Sequence, residues 1–232
     1  MLAGTPSPFP AKASPCRGES RDKPMTSAAP TLVLGTANRD KGRELAELLA
    51  PYGFRVQTLA EVADPLEVVE DGDSFAANAQ AKASQQAKHL GCWVLADDSG
   101  LEVDALDGGP GIFSARFAGA DATNQSNNVK LLAELGDTPR EKRTARYYCH
   151  VSVADPSGVI RAESSAICRG LLRFEPVGSN GFGYDPLFEI VELHRTFGEL
   201  GPRVKSAISH RARALRAIVP QLVALARGDD WS

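Results

Sequence analysis

Hydrophobic and polar positions change period several times along this chain. Residues 31 to 35, TLVLG, are a short apolar run, and after the polar stretch TANRDK the sequence GRELAELLAPYG spaces Leu45, Leu48 and Leu49 at i, i+3 and i+4. That pattern predicts a strand, a polar turn and an amphipathic helix stopped at Pro51-Tyr52-Gly53. Residues 74 to 89, SFAANAQAKASQQAKH, are rich in alanine and predict a second helix with Asn78 and Lys82 on one face. CWVLA predicts a buried strand that ends in a turn at Ser99-Gly100, followed by a second extended piece, LEVDAL, and a turn at GGPG. A further helix over 124 to 136 rests on Val129, Leu132 and Leu135 and closes on Gly136.

Strict alternation then takes over. In ARYYCHVSVA, residues 145 to 154, the side chains of Ala145, Tyr147, Cys149, Val151 and Val153 share a face. DPSG turns the chain and VIRAESSAICRG runs back, which predicts an antiparallel hairpin. A Gly-rich loop, GSNGFGYDPLF, leads to a long last helix with a buried stripe of Leu215, Ile218, Val219 and Leu222 and with Ser209, His210 and Arg211 in its first turn. Strand and helix alternate at both ends around a hairpin, so the expected fold is α/β on a mixed sheet.

Composition changes this picture little. The chain is 43% apolar, enough for a sizeable core, and has no apolar run of membrane-spanning length. A net charge of −3 argues against a general nucleic-acid binder. Cys16, Cys92, Cys149 and Cys168 stand far apart without a Cys-x-x-Cys pair and read as free thiols of a reducing cytosol. Residues 1–30 hold six prolines and read as a disordered tail before one domain over 31–228, and Met25 is a candidate native start.

The chemistry concentrates around VLADDSGL. Alternation on a strand would send Asp97 and Asp98 to opposite faces, so a shared pocket requires the strand to stop at Ser99-Gly100. Asp98-Ser99-Gly100 mimics an aspartic protease signature, but no second copy exists to complete a dyad. Glu70, in VEDGDSF, supplies another carboxylate, and hard oxygen ligands of this kind suit Mg²⁺. Lys41, Lys82, Lys205 and Arg211 sit near predicted helix starts, where backbone N–H groups also favour anions. Together these residues fit a magnesium-bound polyphosphate. GTANRDK lacks Walker A spacing, and GSNGFGYDP is no Rossmann fingerprint, since no helix follows it. Phe182 and Tyr184 either stack a base or pack the core.

Five stretches, TANRDK, EDGDSFAANAQAKA, ADDSGLEVDALDGGPGIFSAR, GFGYDP and KSAISHR, resemble in order and spacing the motifs of the non-canonical purine nucleoside triphosphate pyrophosphatases, the XTP/dITP/ITP diphosphatase family. The resemblance runs from residue 31 to about 225. It implies one elongated α/β domain with a central mixed sheet flanked by helices and two lobes around an active-site cleft, as in inosine triphosphatase. It also implies a cytoplasmic homodimer with neither nucleic acid nor membrane as partner. The implied reaction is Mg²⁺-dependent hydrolysis of ITP, dITP or XTP to the monophosphate and pyrophosphate.

Carried over by position, Asp98 activates water and touches the metal, and Glu70 is the other metal-side carboxylate. Thr36, Ala37, Asn38, Arg39, Asp40 and Lys41 hold the triphosphate with Lys82 and Ser99. Phe182, Gly183, Tyr184 and Asp185 line the nucleoside pocket, and Lys205, His210 and Arg211 read the purine. The alternative is a sensor that binds the triphosphate without cleaving it. Two departures from the family pattern stand out. One is the prolonged N-terminus. The other is GPRV ahead of Lys205 where acidic residues are common, so that Arg203 is expected to alter the field at that lysine.

Overall fold

The apolar run after Pro30 forms strand β1 (Thr31–Leu34), and the polar turn beyond it is the start of helix α1 (Arg39–Leu49). The Asn38 side chain caps that helix by accepting from the backbone N–H groups of Asp40 and Lys41. Leu45 and Leu49 are buried, and the helix stops in a 3₁₀ turn that ends at Gly53 with φ +78°. Next come β2 (Arg55–Thr58), α2 (Phe75–Leu90), β3 (Val94–Val103), α3 (Asn124–Leu135), β4 (Thr144–Ala154) and β5 (Ile160–Leu172). The chain closes with β6 (Phe188–Ile190), β7 (Arg195–Thr196), α4 (Pro202–Ile208) and α5 (His210–Arg227).

This computed structural model describes residues 29–228 and 231, so Met25, Cys16 and nearly all of the expected tail lie outside the described residues. Cys92, Cys149 and Cys168 are free, and no described helix is long and apolar enough to cross a membrane.

Seven strands form one mixed sheet in the order β2-β1-β3-β4-β5-β6-β7, with β2, β1 and β3 parallel and every later pairing antiparallel. Two cores share the long strands β3 and β4. At one end Leu32, Leu45, Leu49, Leu95 and Val151 pack with Leu215, Ile218 and Leu222 of α5. At the other, Leu101, Val103 and Tyr147 pack with Leu131, Leu187, Phe188 and Phe197. The opposite sheet face carries α2 on Val94, Ala96 and Ala154. Midway between the cores, β3 runs Asp97, Asp98, Ser99, and that polar stretch is where the cleft opens.

Three expectations need correction. The strand does not stop at Ser99-Gly100: β3 continues to Val103, paired with β4 throughout. Gly100 is there because another backbone presses on it, not because the chain turns. A Cβ at that position would run into the Gly111 carbonyl oxygen and would stand 2.5 Å from Ser114 Oγ. On α3 the buried face is Asn127, Asn128, Leu131 and Leu135, while Val129 is exposed. The asparagines point inward because they bond to loops: Asn127 donates to the carbonyls of Ser114 and Ala115 and accepts from Ala118 N–H, and Asn128 donates to the Gly183 carbonyl. Finally, β2, β6, β7 and α4 have no counterpart in the sequence pattern, three of them being four residues long or shorter.

Gly100→Ala is therefore expected to destabilise the fold by about 1–3 kcal/mol, the usual cost of overpacking. Urea unfolding midpoints of the two proteins at equal m-values would measure it.

Candidate active site

Because β3 remains a strand, Asp97 and Asp98 face opposite sides of the sheet. Asp98 looks toward α2, where Asn78 and Lys82, one turn apart, both reach it: Lys82 Nζ donates to Oδ1 at 3.0 Å and Asn78 Nδ2 to Oδ2 at 3.2 Å. Lys82 also donates to Glu70 Oε2 at 3.2 Å. Glu70 arrives on the loop ahead of α2, which is tied down where Gly72 N–H donates to Asn78 Oδ1 at 2.9 Å. Two carboxylates thus converge on one ammonium at this end of the cleft.

Asp97 looks toward α1 and α5 and is wholly buried. Its Oδ2 accepts from Arg211 Nε at 3.2 Å and from the Ser99 hydroxyl at 3.1 Å, and pairs with Lys41 at 3.5 Å. Arg211 donates further to Ser99 Oγ at 2.8 Å and pairs with Glu44. Glu44 in turn holds Lys205 at 2.8 Å, and Lys205 holds Asp185 at 2.6 Å. The Phe182 ring covers this second end, 4.4 Å from Lys205 Nζ and 5.7 Å from the Arg211 guanidinium carbon. His210 stacks on Tyr147 with ring centroids 4.6 Å apart, and its Nδ1 is buried with no partner among the described residues.

The two adjacent aspartates acquire opposite acidities. Burial alone would raise Asp97, but Lys41, Arg211 and Lys82 outweigh it and hold the carboxyl well below the usual range. For Asp98 burial wins, since Lys82 and Lys41 offset it only in part and Glu70 adds repulsion, so its pKa is raised. Lys82 would be lowered by burial, yet Asp98, Asp97 and Glu70 keep it firmly protonated. A basic carboxylate beside a permanent one is the division expected of a proton acceptor and its structural support.

Most of the residues singled out in the sequence meet in one cleft. Thr36, Ala37, Asn38, Lys41, Glu70, Lys82, Asp98 and Ser99 line it, with Phe182, Gly183, Tyr184, Asp185, Lys205, His210 and Arg211. Arg39 and Asp40 do not: Arg39 is exposed, and Asp40 accepts from Arg43 at 2.9 Å on the outside of α1. Arg203 is exposed too, and the carboxylates around Lys205 come from Glu44 and Asp185. Sequence reasoning passed over Glu44, whose signal was its place three residues after Lys41 on one helix face. It also passed over Ser114 and Tyr147, which line the cleft and have no local signal, because other segments bring them there.

Fold and site together define an α/β protein with an interlobe cleft, carboxylates and lysines at one end and aromatic rings over paired cations at the other. The chain belongs to the Ham1 family, whose model matches residues 32–221. It is similar to the dITP/XTP pyrophosphatase of Rhodopirellula baltica, 51% identical over 201 residues that cover 87% of this chain and 97% of that one. The dITP/XTP pyrophosphatase of Desulforamulus reducens is 49% identical over 185 residues, covering 80% and 92%. Among solved structures, the HAM1 protein from Coxiella burnetii matches with a TM-score of 0.76 at 35% identity, and the Staphylococcus aureus Ham1 protein with 0.74 at 34%. Each match covers 84% of this chain and 98% of the other.

The buried His210 imidazole has a consequence for acid stability. Burial first, then Arg211 and Lys205, hold its pKa well below the ordinary value, so it stays neutral in the folded protein. In the unfolded chain the same histidine takes up a proton below about pH 6.5. The unfolded state then binds more protons, and stability falls as pH drops below that point. The wild type should lose about 1 kcal/mol per pH unit more than His210→Gln between pH 6.5 and 5.5, measured by denaturant unfolding. Parallel curves for the two proteins would mean that the buried imidazole does not titrate on unfolding.

Proposed function

We propose that this protein hydrolyses deaminated purine nucleoside triphosphates, ITP, dITP and XTP, to the monophosphate and pyrophosphate, as a cytoplasmic homodimer that needs Mg²⁺. The observation that carries the reading is a single cleft with Asp98, Lys82 and Glu70 at one end and Phe182, His210, Lys205 and Arg211 at the other. The names of the relatives, dITP/XTP pyrophosphatases, support the reaction and two of the substrates.

The donor set suits Mg²⁺. Glu70 and Asp98 offer hard oxygens that converge within hydrogen-bond distance of one atom, Lys82 Nζ. Among the described residues no group of three or more His, Cys, Asp or Glu side chains is arranged to cage a metal. An ion held by one or two carboxylates, substrate phosphates and water needs no such cage. Bound there, Mg²⁺ would neutralise phosphate charge.

The chain's own residues do the rest. The loop from Thr36 to Asn38 and the ammonium groups of Lys41 and Lys82 hold the phosphates, and Asp98, which lines the cleft beside Lys82, takes a proton from water. The water oxygen bonds to phosphorus at the α–β bridge, the anhydride P–O bond breaks, pyrophosphate leaves, and the proton passes to Asp98. Phosphoryl transfer asks for little more than positioning and charge stabilisation.

At the other end Phe182 offers a stacking face beside the Lys205 and Arg211 cations, and His210 Nδ1 has no partner among the described residues. A 6-oxo purine supplies an acceptor there. The 6-amino group of adenine meets donors with a donor, and each buried group left unpaired costs about 1–3 kcal/mol.

Incubation with ITP, dITP, XTP, ATP and GTP, with pyrophosphate and orthophosphate measured separately, checks the reading. Pyrophosphate should appear with the first three and far less with ATP, stop on chelation and return with Mg²⁺. Binding without pyrophosphate would make the protein a sensor, and orthophosphate with a diphosphate would make it a terminal phosphatase. Asp98→Asn should lower kcat by about 10²-fold or more with KM little changed, since it removes a function of the transition state. Near-normal turnover would reassign the proton acceptor. Sedimentation and cell fractionation would test the dimer and its location.

A further inference from the structure

Five lysines and arginines line the cleft: Lys41, Lys82, Arg116, Lys205 and Arg211. Four are already engaged by carboxylates: Lys41 by Asp97, Lys82 by Asp98 and Glu70, Lys205 by Glu44 and Asp185, and Arg211 by Asp97 and Glu44. Arg116 has no carboxylate partner among the described residues. One Nη2 hydrogen bond at 3.2 Å goes to the backbone carbonyl of Glu70, and the guanidinium lies over the Phe113 ring at 5.2 Å. Both contacts leave most of its N–H groups open.

Its support is rigid although the side chain is exposed. Arg116 ends the 3₁₀ segment Gly111–Arg116, which is pinned to β3 where Ser114 Oγ accepts from Leu101 N–H at 2.8 Å. The same hydroxyl donates to the Gly111 carbonyl at 2.6 Å, and Asn127 of α3 donates to the Ala115 carbonyl at 3.1 Å. The tether to Glu70 fixes which end of the cleft Arg116 serves. Phe182, His210 and Arg211 mark the base end, Arg211 and Lys41 both pair with Asp97, and the next residue of β3, Asp98, begins the Lys82 and Glu70 end, where Arg116 closes the series.

We propose that Arg116 grips the terminal phosphates of the substrate, the part that leaves as pyrophosphate, and so stabilises charge on the leaving group. This rests on the pyrophosphatase reading above. A guanidinium fork matches two phosphate oxygens at once, and a cation free of carboxylates gives its whole field to the ligand. The paired cations position the substrate without adding net positive charge, so the unpaired one meets the negative charge that grows on the departing group.

Wild-type protein with ITP and Mg²⁺ comes first: no pyrophosphate release there removes the proposed function, whatever Arg116 does. With release established, Arg116→Ala is expected to lower kcat/KM for ITP by about 10²-fold. Inhibition by added inorganic pyrophosphate should weaken by about tenfold, as for loss of a charge-assisted phosphate contact. Stabilisation of the fold by IMP in thermal unfolding should be unchanged. Arg116→Lys, with the charge but not the fork, should fall between the two. Unaltered pyrophosphate inhibition in Arg116→Ala overturns the proposal. So does an equal loss of IMP and pyrophosphate binding, which would mean a collapsed cleft. A raised Mg²⁺ requirement with pyrophosphate affinity intact at saturating Mg²⁺ overturns it as well, because the arginine would then only hold Glu70 in place.

Discussion

Asp97 has no contact with solvent, and a carboxylate in that position needs cations beside it. They come from distant parts of the chain, Lys41 on α1 and Arg211 on α5, two helices that pack side by side over the face of β3 from which Asp97 projects. Removing one partner of such a buried pair typically costs about 3–5 kcal/mol, so the three residues act as a unit. Lys41 faces the end of the cleft with the carboxylates, and Arg211 faces the end with the aromatic rings. The buried charge therefore helps to set the distance between the two subsites, together with Glu44 of α1, which pairs with Arg211 and Lys205, and the Ser99 hydroxyl, giving to Asp97 and accepting from Arg211, fixes the arginine's orientation.

The alternation of a strand does the next piece of work. Two aspartates one residue apart face opposite sides of the sheet, and each side has its own electrostatic company. Asp97 is held ionised by three cations, while Asp98 has burial working against ionisation and Glu70 beside it. A turn at Ser99-Gly100 would have placed both carboxylates in one environment, where their repulsion would have raised one of them without regard to position. Keeping the strand intact separates the two acidities through geometry.

Much of this was legible in the sequence where one residue's role depends on its neighbours along the chain. The stripes of α1 and α5, the alternation of β4 and the shared face of Asn78 and Lys82 all follow from periods of 3.6 and 2. The expectation failed where tertiary contact decided. Gly100 has the composition of a turn, but its lack of a side chain serves a backbone crossing from Gly111. Asn127 and Asn128 look like surface residues until the loops they bond are in place, which is why Val129 was assigned to the wrong face. Arg39 and Asp40 belong to a stretch that matches a family motif, but the helical turn puts Arg39 in the open and Asp40 against Arg43, while Asn38 at the cap and Lys41 line the cleft. The strands β6 and β7 are too short to show any period at all.

Pairing most of the cleft's cations in advance shapes what the protein can recognise. A lysine beside a carboxylate has little field at long range, and with a net charge of −3 the molecule as a whole does not draw anions in. On the proposed function, selection then occurs at contact, where a triphosphate would present oxygens to the Thr36–Asn38 loop, Lys41 and Lys82 while its base would meet Phe182 and His210. A nucleoside without the phosphate chain, or a polyphosphate without the ring, satisfies only one end. Since Asp97 holds the two ends at a fixed separation, a ligand gains both sets of contacts only if its own length matches, and this favours a whole nucleotide over either of its parts.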